Sequence, residues 1–331
     1  MMRNIQNELS AALIIGYRRH SLLESQINVL VEGGITRIYI SLDAAASKDS
    51  EHDVCLTLDA AKALMQSRKD VKIQIATHLE NVGCAAGVLS ACDWFFSQES
   101  FGLILEDDCI PTADFIHFCT DARRHLIEND QIWLICGTQF APSHLSLPTW
   151  NISKYALIWG WATSDKKWNE IAASLHKPTK ISRRLKIANS ERRYWMAGAR
   201  RATLGIIDAW DCLLISQMIS AEKFALLPSA SLVRNVGFDS AATHTTVKDQ
   251  WLDHTPAIYL QTDLVPRRNL ALDEWLKRKF YRISFRHLFS TRITHLIDLS
   301  FRRSVSSKSL EVRWSEAIKN LTREESALDT P

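Results

Sequence analysis

The chain has 331 residues, 46% of them hydrophobic and 23% charged. These proportions exclude a disordered polymer and allow one large α/β domain, or a domain with an appendage. A net charge of only +3 argues against a surface that binds polyanions as a whole, and no apolar run reaches the ~20 residues of a membrane-spanning helix. The apolar stretch Ala11–Ile15 is too short for the core of a signal peptide. Cys55, Cys84, Cys92, Cys109, Cys119, Cys136 and Cys212 are odd in number, lack CxxC spacing and mostly sit in apolar runs. They read as buried thiols in a reducing, cytoplasmic setting, with no disulfide framework or zinc site.

Along the first 140 residues, short branched apolar runs predict strands at Ala11–Ile15, Arg37–Leu42, Val71–Thr77, Phe101–Leu105 and Gln131–Cys136. Helix-length segments lie between them: His20–Val31, Glu51–Arg68, Cys84–Phe96 and Thr112–Glu128. In the last, Phe115, Phe118, Cys119, Ala122 and Leu126 share one face at helical spacing. This alternation predicts an α/β fold, a mostly parallel sheet flanked by helices. Further on, Tyr155–Thr163 and Pro228–Val236 read as strands and Trp210–Ile219 as a helix, while Lys177–Arg201 is basic and helical or looped. From Arg267 the pattern turns helical and basic. The expected organisation is therefore a catalytic domain over 1–265 and a basic helical C-terminal extension over 266–331. No GxGxxG or Walker sequence supports a dinucleotide or P-loop reading.

The strongest chemical signal is Glu106-Asp107-Asp108 at the end of the strand that begins at Phe101, with Pro111 leading into the next helix. Three adjacent carboxylates repel unless a cation, basic groups or water offset them. At the C-terminal edge of an open α/β sheet they make a seat for a hard divalent ion that still has positions free for phosphate. A solvated acidic turn is the competing reading of the same three residues.

The turn resembles the variant DxD motif of GT-A glycosyltransferases. The chain looks like a bacterial group of family-2-like nucleotide-diphospho-sugar transferases, and more distantly like the N-acetylglucosaminyltransferase I family. Several pieces recur in order: Gly16-Tyr17-Arg18-Arg19, Ser41-Leu42-Asp43, Glu80-Asn81-Val82-Gly83-Cys84, Cys92–Phe96, Trp159-Gly160-Trp161-Ala162-Thr163, Ala209-Trp210-Asp211, Arg234–Phe238 and Thr243-His244-Thr245. Together they span about residues 10 to 246.

The resemblance implies a metal-dependent, inverting transfer of sugar from a nucleotide-diphosphate donor (a UDP- or GDP-sugar) to a glycan or glycolipid hydroxyl. It places Arg18, Asp43, Asn81, Glu106, Asp107 and Trp161 around the nucleotide sugar, Mn2+ or Mg2+ on Asp108 with His244 near metal or phosphate, and Asp211 as catalytic base. From the residues alone, Asp43 and Asp211 read equally as helix caps, His244 as a polar loop residue, and Trp159 and Trp161 as core. Two departures stand out. Relatives carry basic residues after the Asn-x-Gly turn where this chain has Ala85-Ala86, with Arg192, Arg193, Arg200 and Arg201 as candidate replacements. Ala44-Ala45-Ala46 replaces a glycine turn after Asp43. A nucleotidyltransferase of related fold and a degenerate, non-catalytic binding protein are the alternatives.

Between Lys277 and Arg303 eight Lys or Arg face the single acid Asp298, interleaved with Phe280, Tyr281, Phe285, Leu288 and Phe289. This run reads as a helix packed on the domain, or as a basic face for an anionic membrane surface at the inner side of the membrane. No recognisable module supports nucleic-acid binding.

Overall fold

A computed structural model describes residues 9–237, 258–259, 265–284 and 308–325. Its centre is formed by β1 (Ala11–Gly16), β2 (Arg37–Leu42), β3 (Lys72–His78) and β4 (Phe101–Glu106), all parallel and hydrogen-bonded in the order β3-β2-β1-β4. Every connection between them carries a helix: α1 (His20–Glu32), α2 (Lys48–Ser67) and α3 (Cys84–Phe96). Parallel strands require such crossovers, and helices on both faces bury them fully, which is why the runs are apolar without polar alternation.

Successive residues of β1 feed opposite faces, Leu13 into one core and Ile14 into the other. The core containing Ile14 is closed by α1, α2 and α4 (Ala113–Glu128) through Ile27, Ala61, Phe115 and Phe118. The core containing Leu13 is closed by α3, α5 (Asp165–Leu175), α6 (Asn189–Thr203), α7 (Asp211–Ser220) and α8 (Leu270–Trp275), with Phe95, Trp168, Trp195, Leu214 and Leu272 buried. Local chemistry fixes the helix starts. Ser47 and Ser50 form a reciprocal capping box on α2, and the side chains of Thr112 and Ser164 accept N–H bonds at the starts of α4 and α5.

Beyond β4 the sheet becomes mixed. β8 (Trp161–Ser164) runs antiparallel to both β4 and β6 (Ile132–Cys136), followed by β9 (Phe224–Leu227) and β7 (Asn151–Ser153). A separate pair joins β5 (Cys109–Pro111) to β10 (Val233–Asn235) antiparallel. The strand expected over Tyr155–Thr163 is confined to its end, because Gly160 adopts φ 74° and breaks the extended run. Of the strand expected over Pro228–Val236 only Val233–Asn235 is extended, as β10, while β9 ends at Leu227 just before it.

The C-terminal segment contains strands as well as the expected helices. β11 (Arg267–Arg268) pairs with β7 at one edge of the ten-stranded sheet. At the other edge β12 (Leu321–Glu325) pairs antiparallel with β3, placing Leu321 opposite His78. Between them α9 (Leu310–Lys319) packs on α3. Of the basic run 277–303, residues 285–303 lie outside the described residues, as does His244. Among the described residues no helix is long and apolar enough to cross a membrane.

Candidate functional site

A cavity of about 500 Å³ opens where β1, β2, β3 and β4 end, the edge at which open α/β sheets receive ligands. Its wall includes Tyr17, Arg18 and Arg19 after β1, Ser41 and Asp43 at the end of β2, His78 and Asn81 after β3, and Glu106, Asp107 and Asp108 after β4. Gly83, Cys84 and Gly87 at the start of α3, together with Trp159, Asp208, Asn235 and Gly237, complete it.

The acidic turn is built into its surroundings. Buried Gln26 of α1 donates through Nε2 to the carbonyls of Glu106 and Cys109, both at 2.9 Å, so the turn's own backbone is satisfied from behind. Asp107 Oδ2 accepts the N–H of Tyr17 (2.8 Å) and of Arg18 (3.3 Å), and Arg19 Nε lies 3.9 Å from its other oxygen. Asp107 thus ties the β1 loop to the end of β4. Asp108 is reached by β10: Asn235 Nδ2 donates to Oδ1 at 3.3 Å and the Val236 N–H donates to the Asp108 carbonyl at 2.9 Å.

Asp43 is a second hub. Its Oδ1 accepts from the N–H groups of Ala44 (2.9 Å) and Val82 (3.0 Å), and its Oδ2 from the Gly83 N–H and Asn81 Nδ2, both at 3.0 Å. Four donors are about what one carboxylate can accept. Asp43 therefore joins the ends of β2 and β3 and caps no helix, since α2 begins after Ser47. Asn81 Nδ2 also donates to the Ala44 carbonyl at 2.7 Å.

Burial and mutual repulsion set the electrostatics. Desolvation lifts Asp43 and Asp107 to about 6, with backbone N–H groups opposing the rise in both. Glu106 is pushed up to about 8, by desolvation first and then by the charges of Asp108, Asp107 and Asp211. Desolvation raises Asp108 too, with Cys109, Arg19 and Asn235 among the groups opposing it. At ~1.4 kcal/mol per pKa unit, these shifts from the ordinary carboxylate values mean that the surroundings disfavour each ionised form by a few kcal/mol relative to water, a penalty that a nearby positive charge would reduce.

A pH dependence follows for protein stripped of metal with a chelator. Glu106 binds its proton more tightly folded than unfolded, so stability is lost as pH rises toward its folded value. Above pH 6.5 this trend is clear of His78, whose lowered value acts in the opposite sense at more acidic pH. The thermal midpoint should fall between pH 6.5 and 8.5, and Glu106→Gln should flatten that slope. A midpoint that rises over this range in the wild type contradicts the assignment.

The residues present fit a divalent cation in one particular manner. Among the described residues no three His, Cys, Asp or Glu side chains converge as a metal cage. Carboxylate oxygens at a strand end fit Mg2+ or Mn2+ held by one or two acids and completed by phosphate, the way these ions usually meet nucleotides. Asp108 would be the side chain to hold it, with Glu106 next in the same turn.

The structure separates the two tryptophans of the Trp159–Thr163 segment. Trp161 is 1% exposed and does not line the cavity. Its ring packs 5.6 Å from that of Trp210 and 6.3 Å from that of Trp168, so it is core, and Trp159 is the one on the cavity wall. Asp211 is the first residue of α7, after Trp210 at the cap position, and lies outside the cavity lining. Its charge nonetheless acts on Glu106 and Cys84, both of which line the cavity. Arg18 and Asn81 line the wall. Asp208 and His78 were not singled out in the sequence, and Asn235 appeared only within the Arg234–Phe238 piece, without a role. Asp208 lies in an irregular stretch ahead of α7, where no periodicity marks it.

No protein family and no curated protein matches the chain by sequence. Among solved structures, UDP-glucose pyrophosphorylase complexed with UDP-glucose aligns over 66% of this chain and 90% of its own, at 6% identity and a TM-score of 0.37. At that similarity the chemistry of the cavity rests on its own geometry.

Proposed function

We propose that the chain transfers a sugar from a nucleotide-diphosphate donor to an acceptor hydroxyl, assisted by a divalent cation that Asp108 would hold. The observation that carries this reading is the acidic end of β4, half-buried in a cavity of about 500 Å³ beside Arg18 and Arg19. That volume is in the range of small-molecule and cofactor sites. The bound cation would stabilise the negative charge that develops on the leaving diphosphate.

The remaining steps belong to the chain's own residues. Arg18 and Arg19 offer positive charge at the phosphates. Asp43 is already saturated, so Ser41 and His78 on the same wall are offered as groups to meet the base; His78 Nδ1 lies 3.7 Å from Asp43 Oδ1. Asp211 takes the proton of the acceptor hydroxyl as its oxygen bonds the anomeric carbon and the bond to the diphosphate oxygen breaks, which inverts that centre. Asp208 is unsuited to that role because both its oxygens are engaged by the N-terminal amides of α3 and by Arg313.

A nucleotidyltransferase could use the same acidic strand end. It would also need backbone amides to wrap a triphosphate, and the N–H groups of Tyr17 and Arg18 are directed at Asp107 instead. Thermal unfolding with a panel of UDP- and GDP-sugars, with and without Mn2+, tests the proposal. The matching donor should raise the midpoint only with the cation, by the equivalent of ~2.7 kcal/mol at a hundredfold excess over Kd. Greater stabilisation by a nucleoside triphosphate than by any diphosphate sugar would favour nucleotidyl transfer. Indifference to all of them would mean that no nucleotide-sugar enzyme is present.

A further inference from the structure

Four consecutive backbone amides, of which Gly83 and Cys84 belong to residues on the cavity wall, are divided between two carboxylates. The N–H groups of Val82 and Gly83 donate to Asp43, and those of Cys84 and Ala85 to Asp208, at 2.7 Å and 3.2 Å for the latter pair. Asp43 reaches them from the adjacent strand. Asp208 comes from 124 positions away in sequence and crosses to the start of α3, where a negative charge is favoured by the exposed amides and the helix dipole.

Asp208 has its own partner from still further along the chain. Arg313 of α9 donates through Nη1 to Asp208 Oδ1 at 2.8 Å and to the Val82 carbonyl at 3.4 Å. The pair presses on the turn it holds. Gly83 adopts φ 81°, and a Cβ there would stand 2.5 Å from Asp208 Oδ2 and 3.1 Å from Arg313 Nη1. A non-glycine residue is thus excluded both by backbone conformation and by the closeness of the pair.

The helix that carries Arg313 is itself fastened. Trp314 Nε1 donates to Asp93 Oδ2 at 2.8 Å, Trp168 Nε1 donates to the other oxygen at 2.7 Å, and the Trp314 ring stacks on His176 at 4.5 Å. β12 follows directly and pairs with β3, the strand that leads into this wall. Arg313 is thus the arginine that reaches the start of α3 through Asp208, whereas Arg192 is directed at Asn189, Ser182 and Leu185.

We infer that Asp208 and Arg313 are positioning residues of the cavity, and that the C-terminal segment 310–325 is a working part of the binding site because it delivers the arginine that seats Asp208 on α3. The pair acts by fixing the 82–85 wall that Asp43 holds from the other side. Its effect on ligand binding rests on the proposed function; its effect on the wall does not.

The test uses the full chain and two readouts. Amide hydrogen exchange without ligand reads the wall: Arg313→Gln should speed exchange across 82–85 by roughly tenfold or more, Asp208→Asn should do the same, and Arg313→Lys should restore most of the protection. Calorimetry with UDP or GDP and Mn2+ reads the site: Arg313→Gln should weaken binding about tenfold, ~1.4 kcal/mol, with Arg313→Lys recovering most of it. Unchanged exchange in Arg313→Gln and Asp208→Asn overturns the inference. So does faster exchange with unaltered nucleotide affinity, because the pair would then only stabilise the fold. If Arg313→Gln fails to fold, Arg313→Lys and Asp208→Asn carry both readouts. If the wild type binds neither nucleotide, the proposed function fails, and exchange alone decides the inference: acceleration supports it and its absence overturns it.

Discussion

Asp108→Asn should remove the cation-dependent part of donor binding, a loss on the order of 100-fold or more in affinity with Mn2+ present. Displacing a group that merely orients a metal ligand already costs 10- to 100-fold, and here the ligand's own charge is lost. The substitution keeps the shape of the side chain and its place beside Asn235, so the damage should be electrostatic. It should also carry the opposite sign when metal is absent. Among nearby charges Asp108 is the one that raises Glu106 most, so its neutralisation relieves the repulsion and should raise the thermal midpoint of chelator-treated protein. Higher stability without metal together with lost donor binding is a signature that damage to the fold cannot produce. A variant that binds donor and Mn2+ like the wild type would remove Asp108 from the metal site.

The second large effect is expected at Asp211. Asp211→Asn should lower turnover by ~10²- to 10⁴-fold, the range of general-base catalysis, and leave donor affinity within about twofold. The separation is expected because Asp211 heads α7 and is absent from the cavity lining. Binding to the donor therefore has little need of it, whereas an acceptor oxygen entering from that side does. Comparable turnover in the variant would exclude the base assignment. Weakened donor binding would move Asp211 from proton transfer to donor positioning.

The central fold was legible because its signals are local. Apolar runs of five to seven residues alternating with amphipathic segments leave little choice beyond parallel strands and crossover helices, and the observed β1, β2, β3 and β4 differ from the expected bounds by a residue at most at either end. The acidic turn was legible for the same reason: three carboxylates closing an apolar strand are a local conflict that needs an explanation.

Long-range features were hidden. Asp208 and Arg313 meet across 105 positions, and neither lies in a pattern that marks it. β12 gave no strand signal because Thr-Arg-Glu-Glu is polar; it forms at an exposed edge, where pairing with β3 supplies the hydrogen bonds that hydrophobic patterning would otherwise announce. The tryptophans show how a correct rule is misapplied. Alternation would place Trp159 and Trp161 on one face, but Gly160 turns the chain between them and only Trp161 lies in β8. Asp43 lines the cavity, yet its oxygens are spent on the chain itself, which no sequence pattern reveals.

Anomalous scattering from crystals grown with Mn2+ and a UDP- or GDP-sugar would locate the cation directly. The expected result is one peak within coordination distance of an Asp108 oxygen, in contact with the donor diphosphate and inside the cavity at the ends of β1 to β4. A donor bound elsewhere, or a cation held away from the acids that close β4, would contradict the account.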